Sequence, residues 1–375
     1  MQQTVEQLFS EAGSANPYPF YHRLRERAPV CRTPLGSWLV TRYDDAISLL
    51  ESKALDHWGQ GDGFGDDALS QALRALGPNT AQPCRTTVIA AVSATSKKAE
   101  LNTIAQRIFD LCAPGTMDAM SGLIHPFTYS ATCCLLGIDD TQAQRLSTAL
   151  APLDGGYLSC IGGGDETCCN ELRRQLASII GGMRGGLLSQ LARWFEERGL
   201  TESQLIDMVL LLIYASHHNM QSFLGNALLA LSAHPERCAE LRNGIAANHI
   251  HELLRFDSPL QYLMLVAKDG IEIRGADIRP GEIVMVGIGA ANRDPAVFEN
   301  PDSLNFNRPA YKHLSFGHGP FRCIGAQFAE VQARIFLNVF LSRIGSFRLA
   351  APLKWRQSPI VQRGLHQLNL DLAFI

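Results

Sequence analysis

The sequence predicts a mainly α-helical fold with small β-sheets near both ends of the chain. Three observations carry that expectation. Apolar residues recur three and four apart over long stretches, the strand-like pieces are short and clustered, and no internal repeat or long linker divides the 375 residues. A chain of this length with 46% hydrophobic residues can bury a large core, and one domain spanning residues 1–375 is expected.

Taken in chain order, the first helix is expected at residues 18–27 and the first strand at 38–41, where Trp38, Leu39 and Val40 stand together. Helical spacing returns at 99–113 and 171–182, and runs longest over 201–231. Residues 235–256 continue the pattern as one further helix. The short β-rich pieces at 271–273 and 283–286, with a turn at Pro280–Gly281, predict a hairpin. The last helix is expected at 326–344. Glycine-rich stretches at 59–65 and 155–164 read as mobile loops, and Gly181 to Gly186 breaks the helical pattern between two helices.

Composition excludes several function classes. A net charge of −3 with 18% charged residues gives no reason to expect a nucleic-acid or membrane-surface partner. The first fourteen residues carry Glu6 and Glu11 and no apolar run, so they read as neither signal peptide nor anchor. The longest apolar run, 208–215, is too short to span a bilayer, and a cytoplasmic protein is expected. Ten cysteines without export signal or zinc-site spacing read mostly as buried, inert thiols. No glycine run has the G-x-G-x-x-G form after a strand, which argues against a dinucleotide cradle.

One cysteine differs in context. Residues 316–325 read Phe-Gly-His-Gly-Pro-Phe-Arg-Cys-Ile-Gly, immediately before the last helix. Glycines allow a tight turn close to a flat ligand. A cysteine near a helix start is favoured as thiolate by free N–H groups and the dipole. Gly325 and Ala329 keep the adjoining helix face small. On Cys-x-Gly alone, a plain glycine-rich turn with a buried cysteine carries more weight.

The whole window, however, resembles the haem-binding loop of the cytochrome P450 family, F-x-x-G-x-x-x-C-x-G-x-x-x-A. Phe316, Gly319, Cys323, Gly325 and Ala329 fill its fixed places. Glu252-Leu-Leu-Arg255, about seventy residues upstream, is similar to the family's E-x-x-R ion pair. The likeness extends through Asn16 to Tyr43, Gly289 to Phe298 and Arg363-Gly364-Leu365. It implies a helical prism with small sheets and haem b (iron protoporphyrin IX) between two long helices. It also implies Cys323 as the iron's axial ligand, with Phe316, Gly317, Gly325 and Arg322 around the cofactor. Arg308 would complete the cluster of Glu252 and Arg255.

The departures are as informative. The family's long helix over the haem usually reads A-G-x-D/E-T-T, whose acid and alcohol relay protons. Here the window is Ala215-Ser216-His217-His218-Asn219-Met220, so Ser216, His218 and Asn219 replace glycine, acid and alcohol. Ala215 and Asn219, four apart, are expected to face the pocket. His218 is expected either to donate a proton, because imidazole titrates near neutrality, or to face other helices or solvent, whereas Asn219 can only hold a water. His217 is expected to be a packed histidine. Phe321 and Leu265 stand where the family often has propionate partners, leaving Arg85 as the candidate for that contact.

The resemblance implies an oxidative enzyme acting on a small organic substrate in bacterial specialised metabolism. Ferredoxin and its reductase would supply electrons, or peroxide would replace both. The altered window points to non-standard oxidation such as ring coupling, peroxide-driven or substrate-assisted chemistry. Pocket candidates are the loop at 58–64, Tyr214, Ala215, Tyr262, Leu263, Leu265, Leu365 and His366. The alternative is a catalytically reduced helper subunit stabilising a partner enzyme, against which the intact cysteine loop speaks.

Overall fold

The computed structural model describes residues 2–56, 86, 97–150, 166–182, 186–308, 312–356 and 361–375. Arg85 and the glycine-rich loops expected at 59–65 and 155–164 lie outside them. Among the described residues, no helix is long and apolar enough to cross a membrane.

The chain begins with helices α1 (Gln2–Leu8), α2 (Glu11–Ala15) and α3 (Tyr18–Arg27). Strands β1 (Val30–Arg32) and β2 (Trp38–Val40) follow, then α4 (Tyr43–Glu51), whose first turn carries Asp44 and Asp45 where the helix dipole favours them. After β3 (Leu55–Asp56) come α5 (Lys98–Phe109), β4 (Gly115–Asp118), α6 (His125–Leu136) and α7 (Asp140–Leu150). Helices α8 (Glu166–Gly182) and α9 (Gly186–Glu196) flank the glycine break.

The long central helix is interrupted. It runs as α10 (Glu202–Ile213), a π-helical turn (Tyr214–His218) and α11 (Asn219–Ser232). A reciprocal capping box between Thr201 and Gln204 starts it. The expected single helix over 235–256 is two, α12 (Pro235–Leu241) and α13 (Ala247–Phe256). Gly244, at φ +117°, ends the first, because the left-handed region suits glycine and not a continuing helix. Then follow β5 (Tyr262–Ala267), β6 (Ile271–Ile273), β7 (Ala276–Ile278), β8 (Ile283–Gly287) and the short α14 (Ile288–Ala291). Helix α15 (Ala326–Arg343) precedes β9 (Ile344–Leu349), β10 (Lys354–Trp355), β11 (Leu365–Gln367) and β12 (Asn369–Phe374).

The expected hairpin needs correction. Strand β6 pairs with β7, Ile271 opposite Ile278, and not with β8. Strand β8 instead lies between β2, in parallel register, and β5, antiparallel, within a sheet ordered β1-β2-β8-β5-β3. Its run from Val284 to Gly287 is buried, as central strands are. Helix α6 escaped the period count because it is buried on much of its circumference, from Phe127 to Leu136.

Two apolar clusters frame the central helix, and a third lies at the five-stranded sheet. Helix α10 packs through Leu205, Val209 and Ile213 against α6, α8 and α9. Helix α11 packs through Phe223, Leu224 and Leu228 against Phe336, Leu337 and Phe340 of α15 and Leu253 of α13. Each such side chain removed from water contributes roughly 1.5–3 kcal/mol. The π-helical turn sits at the seam, and none of its residues is fully buried. The third cluster joins the five-stranded sheet to α4.

Candidate functional site

The cysteine loop is built from backbone constraints. Gly317 has φ +68°, and a Cβ there would run into the Phe321 carbonyl oxygen, so any other residue forces the loop open. A 3-10 turn covers Gly319–Phe321. The Cys323 N–H then donates to the Phe316 carbonyl (2.7 Å), closing the loop on itself. Gly325 caps α15 two residues later, so Cys323 stands at the helix N-terminus.

Side chains at and beside the loop join three apolar clusters. Phe316 packs with α11 and α15, Phe321 and Leu314 with the sheet, and Ile324 with the α10 group. The loop is thereby fixed where the cores meet. Cys323 itself is exposed, as is Arg322. Cys133 and Cys238 are buried, and Cys31, Cys112 and Cys134 are half-buried. Burial pushes Cys133 up to about 12, and Cys31 and Cys238 up to about 11, which marks them as packing residues.

Behind Phe316 stand two histidines. His251 Nδ1 lies 2.7 Å from His313 Nε2, and both rings contact Phe316. The Ser315 N–H donates to His313 Nδ1 (3.2 Å), which leaves Nε2 as the protonated nitrogen facing His251. Burial first, then His251 and nearby arginines, push His313 down to about 3.

Glu252, Arg255 and Arg308 form one cluster. Arg255 Nε and Nη2 donate to Glu252 Oε2 and Oε1 (2.8 and 2.9 Å), a bidentate pair with 2% and 4% side-chain exposure. Arg308 Nε and the Asn305 N–H also donate to Oε1 (3.0 and 2.8 Å). The remaining guanidinium groups reach carbonyls of Asn292, Pro301 and Ser303. This network ties α13 to the segment leading into the cysteine loop.

The distal window divides by direction. Ala215 is exposed, and Asn219, one turn on, is half-buried with its Oδ1 accepting from Gln362 Nε2 (2.5 Å). Ser216 turns to α6, within 3.0 Å of Thr132 Oγ1, and donates to the Leu212 carbonyl. His217 lies 2.9 Å from Thr128 Oγ1 and also meets Gln221. Burial, His125 and other neighbours hold it well below the usual imidazole range.

His218 is held by an aromatic ring and a guanidinium. Its ring stacks on Tyr214 (5.2 Å, 21°) and lies 3.0 Å from Arg356 Nη1. Burial, then Arg356 and His125, push it down to about 3, so it is neutral near pH 7 and does not offer an imidazolium proton. Tyr214, also by burial, is pushed up to about 12.

Other expected pocket residues also separate. Leu265 and Leu365 are fully buried, the first in the sheet cluster, the second against Gly225, so both are core residues rather than wall. Leu263 is half-buried against the sheet cluster. Tyr262 is nearly buried, its hydroxyl 2.8 Å from that of Tyr21, and its ring borders a cavity of about 1060 Å³ that His218 and His366 also line. Arg356, Gln221 and Gln362 were not anticipated. Residues 353–364 carry no periodic pattern that would have drawn attention to them.

His218 and His313, both half-buried, set a pH dependence of stability. Imidazole titrates near 6.5 when unfolded, whereas His218 and His313 sit at about 3 when folded. Above the unfolded value both states are neutral and nothing is lost. As pH falls below it, the unfolded chain takes up protons the folded chain refuses, so stability falls towards acid. These two groups are expected to add about two protons of uptake to unfolding between roughly pH 6 and 4. Urea midpoints measured across that range should fall less steeply in His218→Phe, by about one proton. Identical slopes would show that His218 is not held neutral.

A family model described as Cytochrome P450 matches residues 187–352. The chain is 31% identical over 393 residues to "Cytochrome P450 monooxygenase PikC" of Streptomyces venezuelae, covering 95% of this chain and 91% of that protein. It is 29% identical to "Polyketide biosynthesis cytochrome P450 PksS" of Bacillus subtilis, covering 96% of each. The solved structure of PksS superimposes with a TM-score of 0.82 at 26% identity, over 97% of this chain and 99% of that one. P450BioI, solved with an acyl carrier protein bearing hexadec-9Z-enoic acid, gives a TM-score of 0.81 at 25% identity, over 96% and 99%.

Proposed function

The chain belongs to the cytochrome P450 family and is an oxidative enzyme of that family, and on this premise we propose a haem-thiolate monooxygenase of bacterial specialised metabolism in which Cys323 is the axial ligand. The observation that carries the assignment is the exposed thiol on a closed loop at the start of α15. Its donor set fits the group. A soft thiolate ligand, a loop that tolerates no Cβ at Gly317, and the small residues Gly325 and Ala329 suit a flat macrocycle. Haem b, when bound, supplies iron for oxygen activation, and a thiolate pushes electron density onto that iron. The fold is taken as one domain over residues 1–375.

Residues of the chain divide the remaining work. Arg322 and Gly317 would border the cofactor, and Arg85 is the proposed propionate partner. Ser216 anchors the π-helical turn to α6. Asn219, fixed by Gln362, stands where the family usually places an alcohol and has an amide N–H left that could hold a water. His218, neutral at working pH, orders this polar side rather than feeding it protons. With no acid at position 218, this reading brings protons through water or substrate, which favours substrate-assisted or otherwise non-standard oxidation.

Electrons are assigned to a ferredoxin and its reductase, with peroxide as substitute. Asn219→Leu is expected to lower oxygen consumption driven by such a pair by about 10²-fold, the scale of a lost proton-delivery contribution. The spectrum of its reduced carbon monoxide complex should stay unchanged. Full oxygen consumption in Asn219→Leu would remove Asn219 from the site. Haem content separates the enzyme from a helper subunit: purified protein should carry about one haem per chain. Colourless protein would overturn the reading.

A further inference from the structure

The C-terminal segment around β10 and β11 lies along the distal helix. Gln362 Nε2 donates to Asn219 Oδ1 (2.5 Å), and the Arg363 carbonyl accepts from Asn226 Nδ2 (3.0 Å). A Cβ on Gly364 would come within 2.4 Å of Ser222 Oγ, so the backbone itself presses on α11 there. Arg356 binds the residues that flank Asn219. Its Nη1 lies 3.0 Å from His218 Nε2 and 3.4 Å from Ser222 Oγ, and its Nη2 donates to Gln221 Oε1.

The contact with Gln221 begins a chain whose direction follows from its donors and acceptors. Thr128, on α6, gives its hydroxyl hydrogen to the Ile124 carbonyl (2.9 Å), so its Oγ1 is an acceptor towards His217 Nδ1, also 2.9 Å away. His217 therefore carries its proton on Nδ1. Burial keeps that ring neutral, which makes Nε2 an acceptor. Gln221 Nε2 lies 2.5 Å from it and donates. The amide oxygen of Gln221 then faces Arg356, whose guanidinium has only donors to offer. Arg356 thus fixes which way the Gln221 amide points. Without it the amide is able to turn over, and His217 is able to move its proton to Nε2. A π-helical turn is a rare departure from the α-helix, and this one is braced from two sides, by α6 and by the C-terminal segment.

We propose that Arg356 is a positioning residue for the distal turn: it orders Gln221, His217 and Thr128 in one direction and holds the helix on either side of Asn219. The hold rests on these contacts alone, and its consequence for turnover rests on the haem-thiolate reading.

Nitrogen–proton NMR of haem-loaded protein with isotopically labelled histidine tests the hold, the iron being kept diamagnetic by reduction under carbon monoxide. The His217 signal is identified by its absence from His217→Gln. Wild type should carry the proton on Nδ1, Arg356→Met should move it largely to Nε2, and Arg356→Lys, which still donates to Gln221, should keep it on Nδ1. Oxygen consumption driven by ferredoxin and its reductase should fall about tenfold in Arg356→Met, but less than about twofold when the same change is added to Asn219→Leu, because residues that act through one group are not additive. Gln221→Leu, which removes the link itself, should show the same dependence on Asn219. A wild-type proton on Nε2 overturns the proposal whatever the variants do. So does an Nδ1 proton that stays in place in Arg356→Met, and so does a loss of oxygen consumption that is as large with Asn219→Leu as without it. Wild type that binds no haem or consumes no oxygen defeats the haem-thiolate reading instead, and the position of the His217 proton still decides whether Arg356 holds the turn.

Discussion

Glu252→Ala is expected to yield protein that is insoluble or unable to retain haem. Glu252 accepts from Arg255, Arg308 and the Asn305 N–H, and its side chain is 4% exposed. Truncation leaves two guanidinium groups and a backbone N–H facing an apolar methyl group. Breaking a buried pair from one side costs about 3–5 kcal/mol, because the surviving charge keeps its desolvation penalty. Domains of ordinary stability hold only about 5–15 kcal/mol in total. Arg255→Ala should be as damaging, since Arg255 also binds three carbonyls of the segment that leads to the cysteine loop. Glu252→Gln, which keeps a hydrogen-bonding oxygen, should lie between. Purification yield and haem per chain check the series. Soluble Glu252→Ala with wild-type yield and haem content would show that the cluster does not support the site.

Parts of this site could be read from residue types because those types are irreplaceable at their positions. Gly317 is required by a positive φ and a carbonyl contact, so the loop announces itself in sequence. Glu252 and Arg255 show an i,i+3 pair, but their burial and the carbonyls they bind come from packing many residues away. The state of His218 was not legible for a related reason. Its proton affinity is set by burial and by Arg356, 138 residues further along the chain.

Secondary structure shows the same division. The spacing over 201–231 located the central helix, yet nothing in Tyr-Ala-Ser-His-His marks a π-helical turn. That turn forms where the helix passes from one apolar cluster to another. The mistaken hairpin arose because β8 looks like a neighbour of β6 in sequence, while its partners β2 and β5 are chosen by sheet topology. Local pattern thus identified the cysteine loop, and long-range packing decided how the distal side is lined.

The largest functional loss is expected from Cys323→Ala. Cys323 is exposed, so removing its sulfur takes nothing from the apolar clusters, and the closing bond from its N–H to Phe316 is backbone and survives. Phe316, Phe321 and Ile324 still anchor the loop. The fold should therefore remain, with a helical circular dichroism spectrum and thermal transition close to those of haem-free wild type. What disappears is the thiolate donor itself. The direct measurement is the absorption spectrum of reduced protein under carbon monoxide, taken for wild type and Cys323→Ala side by side. Wild type should show the thiolate-type Soret band, and the folded variant should lack it. A thiolate-type band persisting in Cys323→Ala would contradict the assignment of Cys323 as the iron ligand.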